Sequence, residues 1–172
     1  TLDGNSPTWN KDVRVLDRTF NYNNKRAKEL LNLFLEFSPD ICFHLEIHPA
    51  LLSEELKKEL AGLPKGLLHL EAGIQSLREP VLEQSRRMGR LSDALDGLKY
   101  LCSLHNMETH ADLIAGLPLY HLSEIFEDIH TLAEYGAGEI QLESLKLLPG
   151  TEMRRRAEAV SYTHLTLPTK RI

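Results

Sequence analysis

Four short segments of this chain place polar, chemistry-bearing side chains at every second position. His44, Glu46 and His48 alternate with apolar residues in ICFHLEIHP, and His69, Glu71 and Gln75 do so in LLHLEAGIQS. His110 and Asp112 lie in THADLIAGLP, and Gln141 and Glu143 in EIQLES. Carboxylates and amides can accept from or donate to hydroxyl and ammonium groups, and imidazoles with carboxylates can also ligate a metal ion. The HxExH run His44, Glu46 and His48, with His69, Glu71, His110 and Asp112 nearby, opens the reading of a metal-dependent hydrolase with Zn²⁺ or Mn²⁺. Against it, residues at i and i+4 of a strand stand about 13 Å apart, too far for all three to reach one ion comfortably.

Period-two spacing requires strands. The pattern predicts strands over Asp12–Phe20, Asp40–Ile47, Gly66–Gln75, Met107–Ala115 and Glu139–Leu148. Between them, apolar residues at helical spacing predict helices over Asn24–Phe37, Ser53–Ala61 (opened by a capping serine), Leu91–His105 and Leu122–Tyr135. Repeated β-then-α units with short connections predict a parallel α/β sheet, either a partial barrel or an open doubly wound sheet. In the second to fifth strands the apolar residues share one face, which should pack on the helices, and the polar residues share the other; the first is less clean, because Val13, Val15 and Asp17 share a face. Branched aliphatic side chains normally fill a structural barrel. A polar interior therefore implies a lumen holding water or a large polar ligand. Asp17, Glu46, Gln75, Asp112 and Glu143 fall near strand C-termini, the end that carries active sites in such architectures.

These segments resemble the core domain of radical S-adenosylmethionine (radical SAM) enzymes, over roughly Val13 to Met153. The branch is the one that includes oxygen-independent coproporphyrinogen oxidases and methylthiotransferases, and especially proteins with a cobalamin-binding domain before the core. VLDRTFN (Val15–Asn21), LEIHP (Leu45–Pro49), EAGIQS (Glu71–Ser76) with the following LEQSRR, ADLIAGLP (Ala111–Pro118) and LKLLPGTEM (Leu145–Met153) carry the resemblance, in order, on successive strands. It implies a partial radical SAM (β/α) barrel in which Glu46, Gln75 and Asp112 hold the ribose hydroxyls of S-adenosylmethionine. Arg87, with Arg86 as its neighbouring alternative, would meet the cofactor's carboxylate. Asp17 would stand near the methionine amino group. Gly116, in the GLP turn, would let backbone approach the adenine side. The implied activity is reductive cleavage of S-adenosylmethionine at a [4Fe–4S] cluster to a 5′-deoxyadenosyl radical. An electron donor such as flavodoxin or ferredoxin, a small-molecule substrate and cobalamin held by an upstream domain are implied as partners and cofactor.

The chain departs from the family in one respect. A CxxxCxxC triad normally holds the cluster, whereas the two cysteines here, Cys42 and Cys102, lie 60 positions apart. The resemblance therefore implies an internal fragment whose first strand, cluster loop and metal ligands lie upstream of Thr1, and which is inactive alone. Residues 1–158 would be the partial core domain. The tail reads differently: Val160–Thr169 back-translates in one frame into a string like the transposon-end adapter of DNA library preparation, so residues 159–172 are expected to be non-native.

Bulk properties are consistent with this. The chain has 172 residues, a formal net charge of −5 and 26% charged residues, with no basic stripe suited to nucleic acid beyond Arg154, Arg155 and Arg156. No apolar run has the length of a membrane span. The unpaired thiols fit a reducing cytoplasm. A third class of reading, a non-catalytic sheet that binds a nucleotide or partner, gains no support from a GxGxxG or Walker pattern.

Overall fold

A computed structural model describes residues 11–37 and 41–156. The expected adapter-derived tail lies outside the described residues.

Five strands form one sheet: β1 (Lys11–Arg14), β2 (Ile41–Ile47), β3 (Leu68–Gln75), β4 (Glu108–Ala115) and β5 (Glu139–Ser144). Their order in the sheet is their order in the chain, and every neighbouring pair is parallel. A doubly wound sheet must reverse its strand order at a switch point. The monotonic order instead selects the barrel alternative, and the sheet curls as a partial (β/α) barrel. Helices α1 (Asn24–Leu35), α2 (Glu54–Ala61), α3 (Glu79–Gln84), α4 (Leu91–Ser103), α5 (Leu122–Glu134) and α6 (Glu152–Arg155) make the connections and follow β5.

The alternation seen in the sequence is the alternation of burial. In β3, Leu68, Leu70, Ala72 and Ile74 are buried, while His69, Glu71, Gly73 and Gln75 are only partly so. The buried face joins Leu45, Leu113 and, from the helices, Leu31, Leu56, Leu60, Leu98, Leu101 and Leu132 in one core. The outer face of β5 departs from expectation: Leu142 is exposed, because little of α5 packs on that strand.

Local side-chain bonds set the element ends. Asn23 accepts from Arg26 N at 3.1 Å to start α1, and Ser53 accepts from Leu56 N at 3.2 Å to start α2. β1 stops at Arg14 instead of running to Phe20, because Asp17 takes the Thr19 N–H and the chain turns into a 3-10 turn at Phe20–Tyr22. β5 likewise ends at Ser144, ahead of the turn at Pro149 and Gly150. Gly97, in the middle of α4, has a packing reason: a Cβ there would lie 2.2 Å from the Pro49 carbonyl oxygen. The glycine lets α4 press against the turn that follows β2, and so fixes the strand end bearing Glu46 and His48.

Candidate functional site

The C-terminal ends of β2 to β5 open onto a cleft of about 590 Å³, within the range of small-molecule sites. Glu46, Glu71, Gln75, Asp112 and Glu143 line it, with Arg87 and His48, and Ile47, Ile114 and Leu148 supply apolar wall. Four of the six residues expected to bind cofactor therefore meet in one cavity: Glu46, Gln75, Arg87 and Asp112. Asp17 and Gly116 do not line it. Asp17 is ion-paired with Arg26, which holds its carboxyl below the usual range, and Arg18 and Thr19 face the cleft in its place. Gly116 has φ +89° and serves the turn after β4.

The cleft is electrostatically unbalanced. Asp112 Oδ1 is buried without a hydrogen-bond partner among the described residues. Burial, then the carboxylates of Glu71, Glu46, Glu143 and Glu139, push the Asp112 carboxyl up to about 6. Some counter-charge is present. Arg14 stands 3.3 Å from Glu71, and Glu143 is held by Gln141 at 2.7 Å and Lys146 at 3.1 Å. Arg87 lies in the loop after α3, where its Nη2 donates to the Gly73 carbonyl at 2.7 Å. A Cβ at position 73 would come 3.2 Å from that nitrogen, so the glycine makes room for the guanidinium to cross the strand. Arg86, the alternative, turns away to pair with Glu152. Gln75 adopts φ +72°, left-handed for a side-chain-bearing residue, at a register shift between β3 and β4. Such strain tends to gather at binding sites.

Two supports went unread in the sequence. Asn21 clasps the end of β2: its Nδ2 donates to the His48 carbonyl and its Oδ1 accepts from His48 N, both at 2.9 Å. Asp128 of α5, only 1% exposed, accepts from Leu77 N at 2.8 Å, Arg78 Nε at 2.9 Å and Tyr120 Oη at 2.6 Å. That network anchors the chain beyond Gln75. The readable signal was a carboxylate sharing the buried stripe of Ile125 and Leu132 in α5.

The HxExH residues do not converge. His44 Nε2 stands 3.4 Å from Asp12, and His48 Nε2 bonds the Met88 carbonyl at 3.1 Å. Among the described residues the donors gathered closely enough for one ion are Asp12, Cys42 and His44, at the other end of the sheet. Among the described residues no donor set for a metal hydrolase forms in the cleft. Nor do the two cysteines fit an iron–sulfur cluster there: Cys42 is the second residue of β2, at the opposite end of the strand, and Cys102 lies in α4.

No family model and no curated protein matches the chain. Solved structures do. TsrM, a radical S-adenosylmethionine methyltransferase from Kitasatospora setae whose structure holds cobalamin and a [4Fe–4S] cluster, matches with a TM-score of 0.69 at 18% identity, over 86% of this chain and 30% of its own. Coproporphyrinogen III oxidase (HemN) from Escherichia coli, a radical SAM enzyme, matches with a TM-score of 0.63 at 18% identity, over 85% of this chain and 33% of its own. This chain thus spans about a third of the length of either. At that identity the likeness speaks to architecture, and the architecture of the described residues is that of a partial radical SAM core barrel.

Proposed function

We propose that the cleft binds S-adenosylmethionine and that the chain is the cofactor-holding part of a radical SAM enzyme. The observation that carries this is Asp112 Oδ1, buried without a partner among the described residues and set among Glu46, Glu71 and Glu143. Such a site calls for a ligand that brings positive charge and hydroxyl donors. S-adenosylmethionine brings a sulfonium, an ammonium and two vicinal ribose hydroxyls, and its one carboxylate has Arg87 to meet it. Asp112, Glu46 and Gln75 would accept from or donate to the ribose hydroxyls. Ile114 and Leu148 would flank the adenine. With Asp17 committed to Arg26, the ammonium falls to the remaining cleft carboxylates.

When bound and reduced by one electron, the cofactor supplies a 5′-deoxyadenosyl radical, and the protein's part is to hold and orient it. The cysteines of this chain do not hold the cluster that delivers that electron, so the chain alone is expected to bind S-adenosylmethionine without cleaving it. Cleavage, the electron donor, the substrate and any use of cobalamin belong to the longer protein; for cobalamin the support is the match to a cobalamin-bound methyltransferase. The test is calorimetric titration of the purified chain with S-adenosylmethionine near neutral pH. One binding site is expected, weakened about 10-fold or more by Glu46→Gln or Arg87→Ala, the loss of one charge-assisted hydrogen bond. S-adenosylhomocysteine, which lacks the sulfonium charge, should bind more weakly. Absence of binding, or binding indifferent to both substitutions, contradicts the reading.

A further inference from the structure

The inward face of the sheet carries a second constellation at its opposite, N-terminal end. Cys42 and His44 are two apart on β2 and so share that face, and Asp12 of β1 is the register partner of Cys42. A carboxylate oxygen, the Cys42 Sγ and a His44 ring nitrogen all lie within 4.8 Å of one another. We infer that Asp12, Cys42 and His44 form a transition-metal site of the Zn²⁺ class, remote from the S-adenosylmethionine cleft.

The donor chemistry points to this class of ion. Thiolate with imidazole and one carboxylate is a borderline-soft set, which favours Zn²⁺ over Mg²⁺ or Ca²⁺. Bond lengths of about 2.0–2.3 Å need the donors to close by about 1 Å, within reach of side-chain rotation. Three protein donors leave a fourth position for water, and the site opens on a cavity of about 430 Å³ also lined by His69, His105 and Glu108. An independent observation comes from the rings alongside. His44 Nδ1 and His69 Nε2 are buried without hydrogen-bond partners among the described residues, although the two rings stack with centroids 4.5 Å apart. Imidazoles left unsatisfied beside a thiol and a carboxylate are groups that a bound cation and its water would satisfy. The site would also tie β1, the shortest strand and an edge of the sheet, to β2. Its consequence is therefore structural: metal that binds only the folded chain stabilises it by mass action.

The test is titration of the whole chelator-treated chain with Co²⁺ alone, under reducing conditions. One equivalent should bind with a thiolate-to-cobalt charge-transfer band, Zn²⁺ should displace it, and Zn²⁺ should raise the thermal midpoint. Cys42→Ser should abolish the band and Cys102→Ser should keep it. Asp12→Asn, at a side chain 60% exposed, should weaken binding about 10-fold or more. Co²⁺ binding without a thiolate band, a band lost in Cys102→Ser instead of Cys42→Ser, or no binding overturns the proposal. S-adenosylmethionine titration reads the other end of the sheet, so either proposal can fail alone.

Discussion

The two ends of one sheet face solve the same problem differently. At the N-terminal end the polar side chains partner one another. His44, His69 and His110 form a ladder of rings across β2, β3 and β4. Each ring has a carboxylate at its side: Asp12 at 3.4 Å, Glu108 at 3.5 Å and Glu139 at 2.9 Å. Two residues further along the same strands, acids gather instead: Glu46, Glu71 and Asp112, with one acceptor left unpartnered. Buried polar groups are normally satisfied within the fold. Among the described residues both ends keep exceptions, His44 Nδ1 and His69 Nε2 at the lower and Asp112 Oδ1 at the upper. But the lower end sets a carboxylate beside each imidazole, whereas the upper end gathers acids in excess of counter-charge, as a preorganised binding site does.

The largest expected effect probes what holds the upper end in place. Asp128→Ala leaves Arg78 and Tyr120 without their buried partner, and by denaturant unfolding should cost about 3 kcal/mol or more. Gly97→Ala should cost about 1–3 kcal/mol, because the new methyl meets the Pro49 carbonyl and either α4 or the β2 end must shift. Its S-adenosylmethionine affinity should fall as well, since that shift moves Glu46.

Smaller effects separate the ends by the sign of their pH dependence. Asp112 has its folded pKa raised to about 6 from 3.8. The folded state therefore binds the extra proton, and stability of the ligand-free chain falls as pH rises through that window. Asp112→Asn should be more stable than wild type at pH values above about 6, yet bind the cofactor more weakly. His69 behaves oppositely. Burial first, then His110 and His44, lower its pKa from 6.5, so the unfolded state holds the proton and stability falls as pH drops below 6.5. His69→Gln should blunt that acid loss without changing S-adenosylmethionine affinity. Equal effects of the two substitutions on binding would erase the distinction between the ends. The smallest effect belongs to Gln75→Gly, which should relieve about 1 kcal/mol of left-handed backbone strain while weakening binding.

Much of this was legible in the sequence because period two is a strong code when one face is buried. The alternation of Leu68–Gln75 fixed both the strand and the side on which Glu71 and Gln75 stand. The chain-order sheet was less determined, since βα repeats suit barrels and doubly wound sheets alike. β1 was overextended because β-branched and apolar residues up to Phe20 mask the turn that Asp17 and Thr19 make through side-chain bonds. The same local pairing with Arg26 removed Asp17 from the site, and no spacing rule exposes a salt bridge nine residues apart across a loop. The resemblance favours Arg87 but leaves Arg86 as its alternative. Their backbone directions part them, with Arg86 in a left-handed turn facing Glu152 and Arg87 facing Gly73. The Asp12, Cys42 and His44 grouping depends on the β1–β2 register, which no single segment encodes.

The most direct measurement is S-adenosylmethionine affinity as a function of pH, in wild type and in Asp112→Asn. If the ionised Asp112 carboxylate receives the cofactor, wild-type affinity should fall about 10-fold per pH unit below about 6, and the Asn variant should be weaker and nearly flat. A wild-type affinity that ignores pH across that range, or a variant that binds as tightly as wild type, would contradict the account.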